Sequence, residues 1–420
     1  MAFKCIAVFS ACIILSAAHP AHKYPELPPF PVLKDLPHQE VLFRENKPAV
    51  IECVIEGDSS SVKYSWHKEG NSFNLQEHNA VLGVVDGSLI FPKPQASDEG
   101  HYQCHVESPA GVASSRVISF KKTYLETGPE KTHEVAPVEG KPFQLDCPIP
   151  NGYPKPTITW KKTLAGSVPP SYDSNLGRSM TAGADGNLYI TAANKDIVSE
   201  VNKYVCTAKN EAVDEEVILV QYSIKELAKS DPHYNGELIP QYLSKDIVAK
   251  AGTITMIYCM YGGEPLGYPN YFKDGKDVNG KPGDRVTRHN RSSGKRLMIQ
   301  DTRPEDAGLY ECKVDNGKGK PQEHSMKLTV ISEPKFVTKP EKVMQVKVGE
   351  DVTIPCTVSG VPQSKVTWSQ NAKTLSSGRA TVTENGLVIK NVQKDDKAYY
   401  GCRATNEYGD IYSEVLVYVI

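Results

Sequence analysis

Hydrophobic and polar residues alternate in short runs along this chain, and the runs recur. Ala49-Val50-Ile51-Glu52-Cys53 points inward and outward in turn, and Phe143 to Cys147 repeats the pattern. Ser88-Leu89-Ile90-Phe91, Leu188-Tyr189-Ile190 and Leu387-Val388-Ile389 form a second set of short apolar strands, with Leu89 and Phe91 inward in the first of them. A period of two is that of a strand with one face in a core. The pattern predicts an all-β protein.

The cysteines divide these strands into units. Cys53 and Cys104, Cys147 and Cys206, Cys259 and Cys312, and Cys356 and Cys402 are separated by 51, 59, 53 and 46 positions. Trp66, Trp160 and Phe272 each follow their first cysteine by 13 positions, and Trp368 follows Cys356 by 12. Tyr102, Tyr204, Tyr310 and Tyr400 stand two before the second cysteine. An inter-sheet disulfide, an aromatic packed on it and a tyrosine corner are the signature of the immunoglobulin sandwich. The expectation is four tandem immunoglobulin-like sandwiches of the I-set type, each closed by one disulfide within its own unit.

With 420 residues the chain holds four such units of roughly 100 residues each. Residues 1–18 read as a signal peptide: Lys4, then an apolar stretch from Cys5 to Leu15, then Ser16-Ala17-Ala18. Cys5 and Cys12 leave with it, so an even set of cysteines remains, which fits an oxidising compartment. No later apolar stretch is long enough to span a bilayer. The expected product is secreted and extracellular.

The units are assigned to 19–120, 121–224, 241–332 and 333–420, with 225–240 as a joint. That joint carries Asp231-Pro232, Asn235-Gly236 and Pro240, all turn or breaker signals. The other two junctions are nearly absent. A long central joint permits a U-shape, with domain 2 beside domain 3 and domain 1 beside domain 4; a bent string with one hinge is the alternative. The residues between Trp160 and Gly183 could be an extra strand or an irregular loop.

Charge adds little at first. The formal net charge is −2, which excludes a wholesale polyelectrolyte binder such as a nucleic-acid protein. No nucleophile elbow, phosphate loop or metal-spaced histidine pair is present, so neither an enzyme nor a cofactor or metal is expected. Asp274, Asp277 and Asn279 echo a calcium loop but lack its closing acid, and a turn is the simpler reading. The stretch from Arg285 to Arg296 contains no acid and falls on a predicted hairpin of domain 3. Arg288, Arg291, Lys295 and Arg296 are expected at or near its tip, as a phosphate-binding edge or as a plain solvated turn. Asn290-Arg291-Ser292 is a glycosylation sequon on the same turn. Arg285 is set apart. Arg285 with Asp306, Arg379 with Asp396 and Arg178 with Glu200 look like one ion pair repeated in three domains.

Longer stretches are more specific than the cysteine frame. Val32-Leu33-Lys34-Asp35, Val41-Leu42-Phe43-Arg44-Glu45, Gly152 to Ile158, Met256 to Gly263 and Lys273 to Pro282 resemble the hemolins, haemolymph proteins of the immunoglobulin superfamily in insect immunity. A more distant likeness is to the first four domains of L1-type neural adhesion molecules. The resemblance implies a horseshoe of four domains. It also implies binding of bacterial lipopolysaccharide and lipoteichoic acid, association with the haemocyte surface, and homophilic self-association. Two functions compete on this basis: pattern recognition of microbial glycolipids, and homophilic adhesion by exchange of immunoglobulin domains without a microbial ligand.

Overall fold

The computed structural model describes residues 30–420 except 37–38, 58–60, 165–170, 290–291, 293 and 376–377. The leader expected at 1–18 lies outside the described residues. Four sandwiches follow one another. In each, a short edge strand runs parallel to the last strand. Glu40–Phe43 lies beside Ile118–Lys122, Lys131–Glu134 beside Val217–Ser223, Ile247–Lys250 beside Gln322–Thr338, and Val343–Val346 beside Gly409–Val419. The remaining strands pair antiparallel into two facing sheets per unit. In domain 1, for example, Ala49–Ile51, Leu89–Phe91 and Val81–Leu82 form the second sheet. After Trp160 a short strand, Tyr172–Asp173, pairs with Thr157–Thr163, and a two-residue strand stands at the same place in each of the other units, so it is shared by all four rather than extra.

Each disulfide stays within its own unit. Cys53 is bonded to Cys104, Cys147 to Cys206, Cys259 to Cys312 and Cys356 to Cys402, with Cα atoms 6.1 to 6.6 Å apart. All eight of these cysteines are buried. In the chain-entropy view each bridge closes a loop worth about 4 kcal/mol. Trp66, Trp160 and Trp368 stand opposite Cys104, Cys206 and Cys402 on the neighbouring strand. The indole N–H groups of the first two donate to the Gly87 and Gly186 carbonyls at 2.8 and 2.7 Å. Domain 3 corrects the sequence reading. Tyr271, not Phe272, faces Cys312, is fully buried, and donates its hydroxyl to the Gly294 carbonyl at 3.1 Å. A one-residue change in count moves a strand residue to the other face. Phe272 is half-buried there, with the Lys313 ammonium 5.8 Å from its ring centre.

The tyrosine corners close as expected. Tyr102, Tyr310 and Tyr400 donate to the carbonyls of Asp98, Asp306 and Asp396 at 2.6, 2.9 and 3.0 Å. The same aspartates accept the backbone N–H three residues earlier, each at 2.8 Å. Arg285 grips Asp306 with two bonds of 2.7 and 2.8 Å, and Arg379 holds Asp396 at 2.8 Å. In domain 1 His78 takes the arginine's part, 2.6 Å from Asp98. Domain 2 departs from the expected pair: buried Ile197 occupies the acid's place and accepts from Tyr204 at 3.3 Å, while Glu200 is exposed. Apolar contact replaces the ion pair there.

The central joint is anchored at both ends. Leu227 packs on the domain 2 core, and Leu238 is buried in that of domain 3. Between them Asp231 pairs with Lys141 at 2.6 Å, and Asn316 donates to the Gly236 carbonyl at 2.8 Å. Ile239–Leu243 already belongs to a domain 3 sheet, pairing with Thr255–Gly262. At the next junction one strand, Gln322–Thr338, serves both neighbours, pairing with Ile247–Lys250 at one end and Thr357–Val361 at the other. The chain folds back at the joint, so domain 2 lies on domain 3 and domain 1 on domain 4: a horseshoe.

Candidate functional site

The basic hairpin of domain 3 consists of Val286–Arg288 and Arg296–Ile299, with Arg288 opposite Leu297. Its predicted tip is only partly exposed. Arg288 is half-buried, and its guanidinium donates to the Pro269 carbonyl at 3.4 Å and to Asn270 Oδ1 at 3.3 Å. Arg296 is half-buried as well. It lies 5.9 Å from the Tyr258 ring centre, with Nη2 3.4 Å from His289 Nδ1. Lys295 is a correction: it is 1% exposed and cannot face an incoming ligand. The hairpin leans on domain 2, and the Lys295 ammonium donates across to the Arg178 carbonyl at 2.7 Å and to Thr181 Oγ1 at 3.4 Å. Burial, and secondarily the Arg296 charge, pulls its pKa down to about 7. Arg291 and Asn290 lie outside the described residues.

The acidic loop beside the hairpin is a turn. Asp277 caps the Asn279 amide at 2.9 Å, Asp274 accepts from the Leu309 amide at 3.0 Å, and Asn279 Oδ1 accepts from the Tyr271 amide at 2.9 Å. Among the described residues no group of three or more metal-type side chains comes together.

Lys295 belongs to the first of two seams between the arms of the horseshoe. In this seam, between domains 2 and 3, Gln241 donates to the carbonyls of Phe143 at 3.2 Å and Ile190 at 2.9 Å, and the Gly263 amide donates to the Thr191 carbonyl at 2.8 Å. Tyr189 lies against Tyr242, ring centres 5.6 Å apart, and Tyr242 meets Tyr258 edge-on at 5.2 Å. Gly262 allows the approach: a Cβ there would stand 2.4 Å from Pro142 Cγ.

The seam between domains 1 and 4 is polar at its centre. The Ser114 amide donates to both Glu414 carboxylate oxygens at 3.0 Å, and Ser114 Oγ and the Tyr412 hydroxyl donate to Oε1 at 3.0 and 2.8 Å. Glu414 is half-buried as a residue, but its carboxyl is ringed by protein atoms, and burial pushes its pKa up to about 7. On either side, the Val112 amide donates to Asn371 Oδ1 at 3.2 Å and Arg116 to the Asp410 carbonyl at 3.1 Å. Tyr399 donates to the Pro31 carbonyl at 2.7 Å, and both Tyr399 and Leu416 of domain 4 pack into the domain 1 core. Asp35 is held low although burial opposes it, because the Lys342 and Lys339 ammonium groups sit beside it. A small cavity of about 80 Å³ opens here between Asp35, Arg116, Lys342 and Glu414.

Sequence reasoning placed none of these residues at a seam. Nothing local marks Gly262, Ser114, Tyr412 or Glu414 as seam residues.

Comparison with known proteins agrees with this architecture. The immunoglobulin I-set domain model matches residues 239–330 and 334–419, and a second immunoglobulin domain model matches 31–108. Hemolin of Hyalophora cecropia is 65% identical over 419 residues, with 100% of both chains covered. Hemolin of Manduca sexta is 53% identical over 420 residues, again with 100% of both. Neuroglian of Drosophila melanogaster is 33% identical over 90% of this chain but only 30% of its own length. A crystal structure of the insect immune protein hemolin, described as a new domain arrangement with implications for homophilic adhesion, superposes with a TM-score of 0.91 at 65% identity. It covers 93% of this chain and 100% of its own. The four N-terminal immunoglobulin domains of Dscam1 share the fold at a TM-score of 0.68 and 20% identity, covering 93% of this chain and 99% of their own. Four disulfide-closed sandwiches, two seams and end-to-end likeness together place the chain in the hemolin family of insect immunoglobulin-superfamily immune and adhesion proteins.

Proposed function

We propose that the protein is secreted into haemolymph, binds anionic glycolipids of bacterial surfaces such as lipopolysaccharide and lipoteichoic acid, and associates with haemocytes as an opsonin-like, adhesion-modulating factor. It works by contact rather than catalysis. The observation that carries this reading is the 65% identity to a hemolin along the whole chain. Arg288 and Arg296, on neighbouring strands, are the supporting chemistry, with Arg291 between them in sequence. Guanidinium forks match phosphate oxygens two at a time. Lys295 drops out of the set because it is buried. A glycan on Asn290 would crowd the same edge.

The test replaces Arg288, Arg291 and Arg296 with Ser and measures binding to vesicles carrying lipid A or lipoteichoic acid, at low and high salt. Affinity should drop about tenfold or more, with a flatter salt dependence. Unchanged binding discards this edge as the ligand site.

A second reading, homophilic adhesion by domain exchange, is favoured by the 1–4 seam. Its partners lie about 300 positions apart in the chain, as for Ser114 and Glu414, so a second copy can offer the same face. Deleting 229–236, between the two leucine anchors, should shift the monomer–dimer balance in sedimentation equilibrium. The same balance in both forms would count against exchange.

A further inference from the structure

Each seam buries one ionisable side chain that has no ion-pair partner among the described residues. Glu414 sits in the 1–4 seam and Lys295 in the 2–3 seam, and they carry opposite charges. Each is buried by the facing domain: Ser114 of domain 1 covers Glu414, and Arg178 and Thr181 of domain 2 cover Lys295. Opening a seam returns its group to water. We propose that the two seams are proton switches of opposite sense, so that a rise in pH through neutrality loosens the contact between domains 1 and 4 and tightens the contact between domains 2 and 3.

The sign follows from which form each closed seam prefers. A buried carboxyl without a cation favours its neutral, protonated form. Its closed-seam pKa is therefore raised, and it supports closure fully below the ordinary glutamate value, losing that support as pH rises to about 7. A buried amine without an anion favours its neutral, deprotonated form. Its closed-seam pKa is lowered, so it opposes closure fully below about 7 and less and less as pH rises toward the ordinary lysine value. The two windows meet near neutrality.

The neighbours do not cancel either effect. Around Glu414 stand Tyr412 on its own strand and Ser114 on the facing strand, whose hydrogen bonds favour the charged form, and then Lys342, whose charge does the same; together they offset burial only in part. Arg116 and Asp35 line the adjoining cavity, where Lys342 and Lys339 already pair with Asp35. His105, opposite Ser114 on the next strand, is held down to about 4 by burial and then by His67, so it stays neutral across the window. Around Lys295 the hairpin contributes Arg296, Arg288 and His289, the adjacent strand Tyr258, and domain 2 Arg178, Tyr189 and Asp185. The Asp185 carboxylate accepts from the Tyr189 hydroxyl at 2.6 Å and acts on Tyr242, whereas burial and then the Arg296 charge set the Lys295 shift.

The seams can be read separately in the full-length mature protein. The Val112 and Ser114 amides donate across one seam, to Asn371 and Glu414, and the Gly263 amide across the other, to Thr191. Hydrogen exchange of segments 110–116 and 259–266, corrected for the intrinsic effect of pH, therefore reports each opening. From pH 5 to pH 8, protection of the first should fall at least about tenfold. From pH 6 to pH 9, protection of the second should rise at least about tenfold. Glu414→Gln should flatten the first profile alone, and Lys295→Met the second alone. Parallel trends in the two segments of the native protein, or profiles that persist in folded variants, would overturn the proposal. The native profiles decide it even where a variant does not fold.

Discussion

The two seams hold the same horseshoe closed by different means. Between domains 2 and 3 the contact is made of tyrosine rings and of bonds to backbone carbonyls, around Gly262. The anchored joint holds these domains at high local concentration, so modest contacts suffice. Between domains 1 and 4 the partners are close to opposite ends of the chain. Closing so long a loop adds little entropy per residue but supplies no local restraint. That seam instead threads Tyr399 and Leu416 into the neighbouring core and adds a bonded cluster around Glu414. Proximity in the chain replaces intimacy of packing.

Substitutions at the seams test this contrast. The strongest expected effect is Tyr399→Ala, which removes a fully enclosed ring together with its bond to the Pro31 carbonyl. It should cost about 3–5 kcal/mol and enlarge the radius of gyration in small-angle scattering. An unchanged radius would mean that the 1–4 seam does not depend on this ring. Next is Gly262→Val, whose side chain would collide with Pro142. Overpacking of this kind costs about 1–3 kcal/mol, and thermal melting should show it. If the joint holds domains 2 and 3 together, the radius should change less than in Tyr399→Ala. A larger change would invert the comparison. The smallest effect is expected at the rim of the 1–4 seam. Lys339→Ala breaks an exposed pair with Asp35 and should cost about 0.2–1 kcal/mol in denaturant titration. A larger loss would make this rim part of the lock.

Much of the fold was legible because it is local. Cysteine spacing, strand alternation and the tyrosine before the second cysteine each report contacts within one unit, as where Trp368 and Tyr400 frame Cys402 in domain 4. The ion pairs Arg285–Asp306 and Arg379–Asp396 were legible for the same reason. Phe272 was misread because a strand's inward face depends on an exact count, and domain 3 uses 12 positions rather than 13. The pair expected at Glu200 failed because domain 2 places Ile197, rather than an acid, under its tyrosine corner. A further repeated device carried a signal that was not used. Asn210, Asn316 and Asn406 each stand four after a second cysteine, and each donates to two carbonyls that tie a loop to an interdomain joint.

The candidate ligand edge shows where local reasoning stops. Arg288 and Arg296 lie on the hairpin as expected, because hairpin register is a property of neighbouring residues. Whether a side chain on that hairpin meets water is not.

The amino-acid sequence by itself determined four disulfide-closed sandwiches, their order and the one long joint, since each rests on spacing within about a hundred residues. The tertiary structure alone decided which faces meet across the fold. Lys295 is buried by Thr181, 114 positions away, and Glu414 by Ser114, 300 positions away. Burial of both groups is completed by atoms of another domain, and no pattern within one domain encodes it.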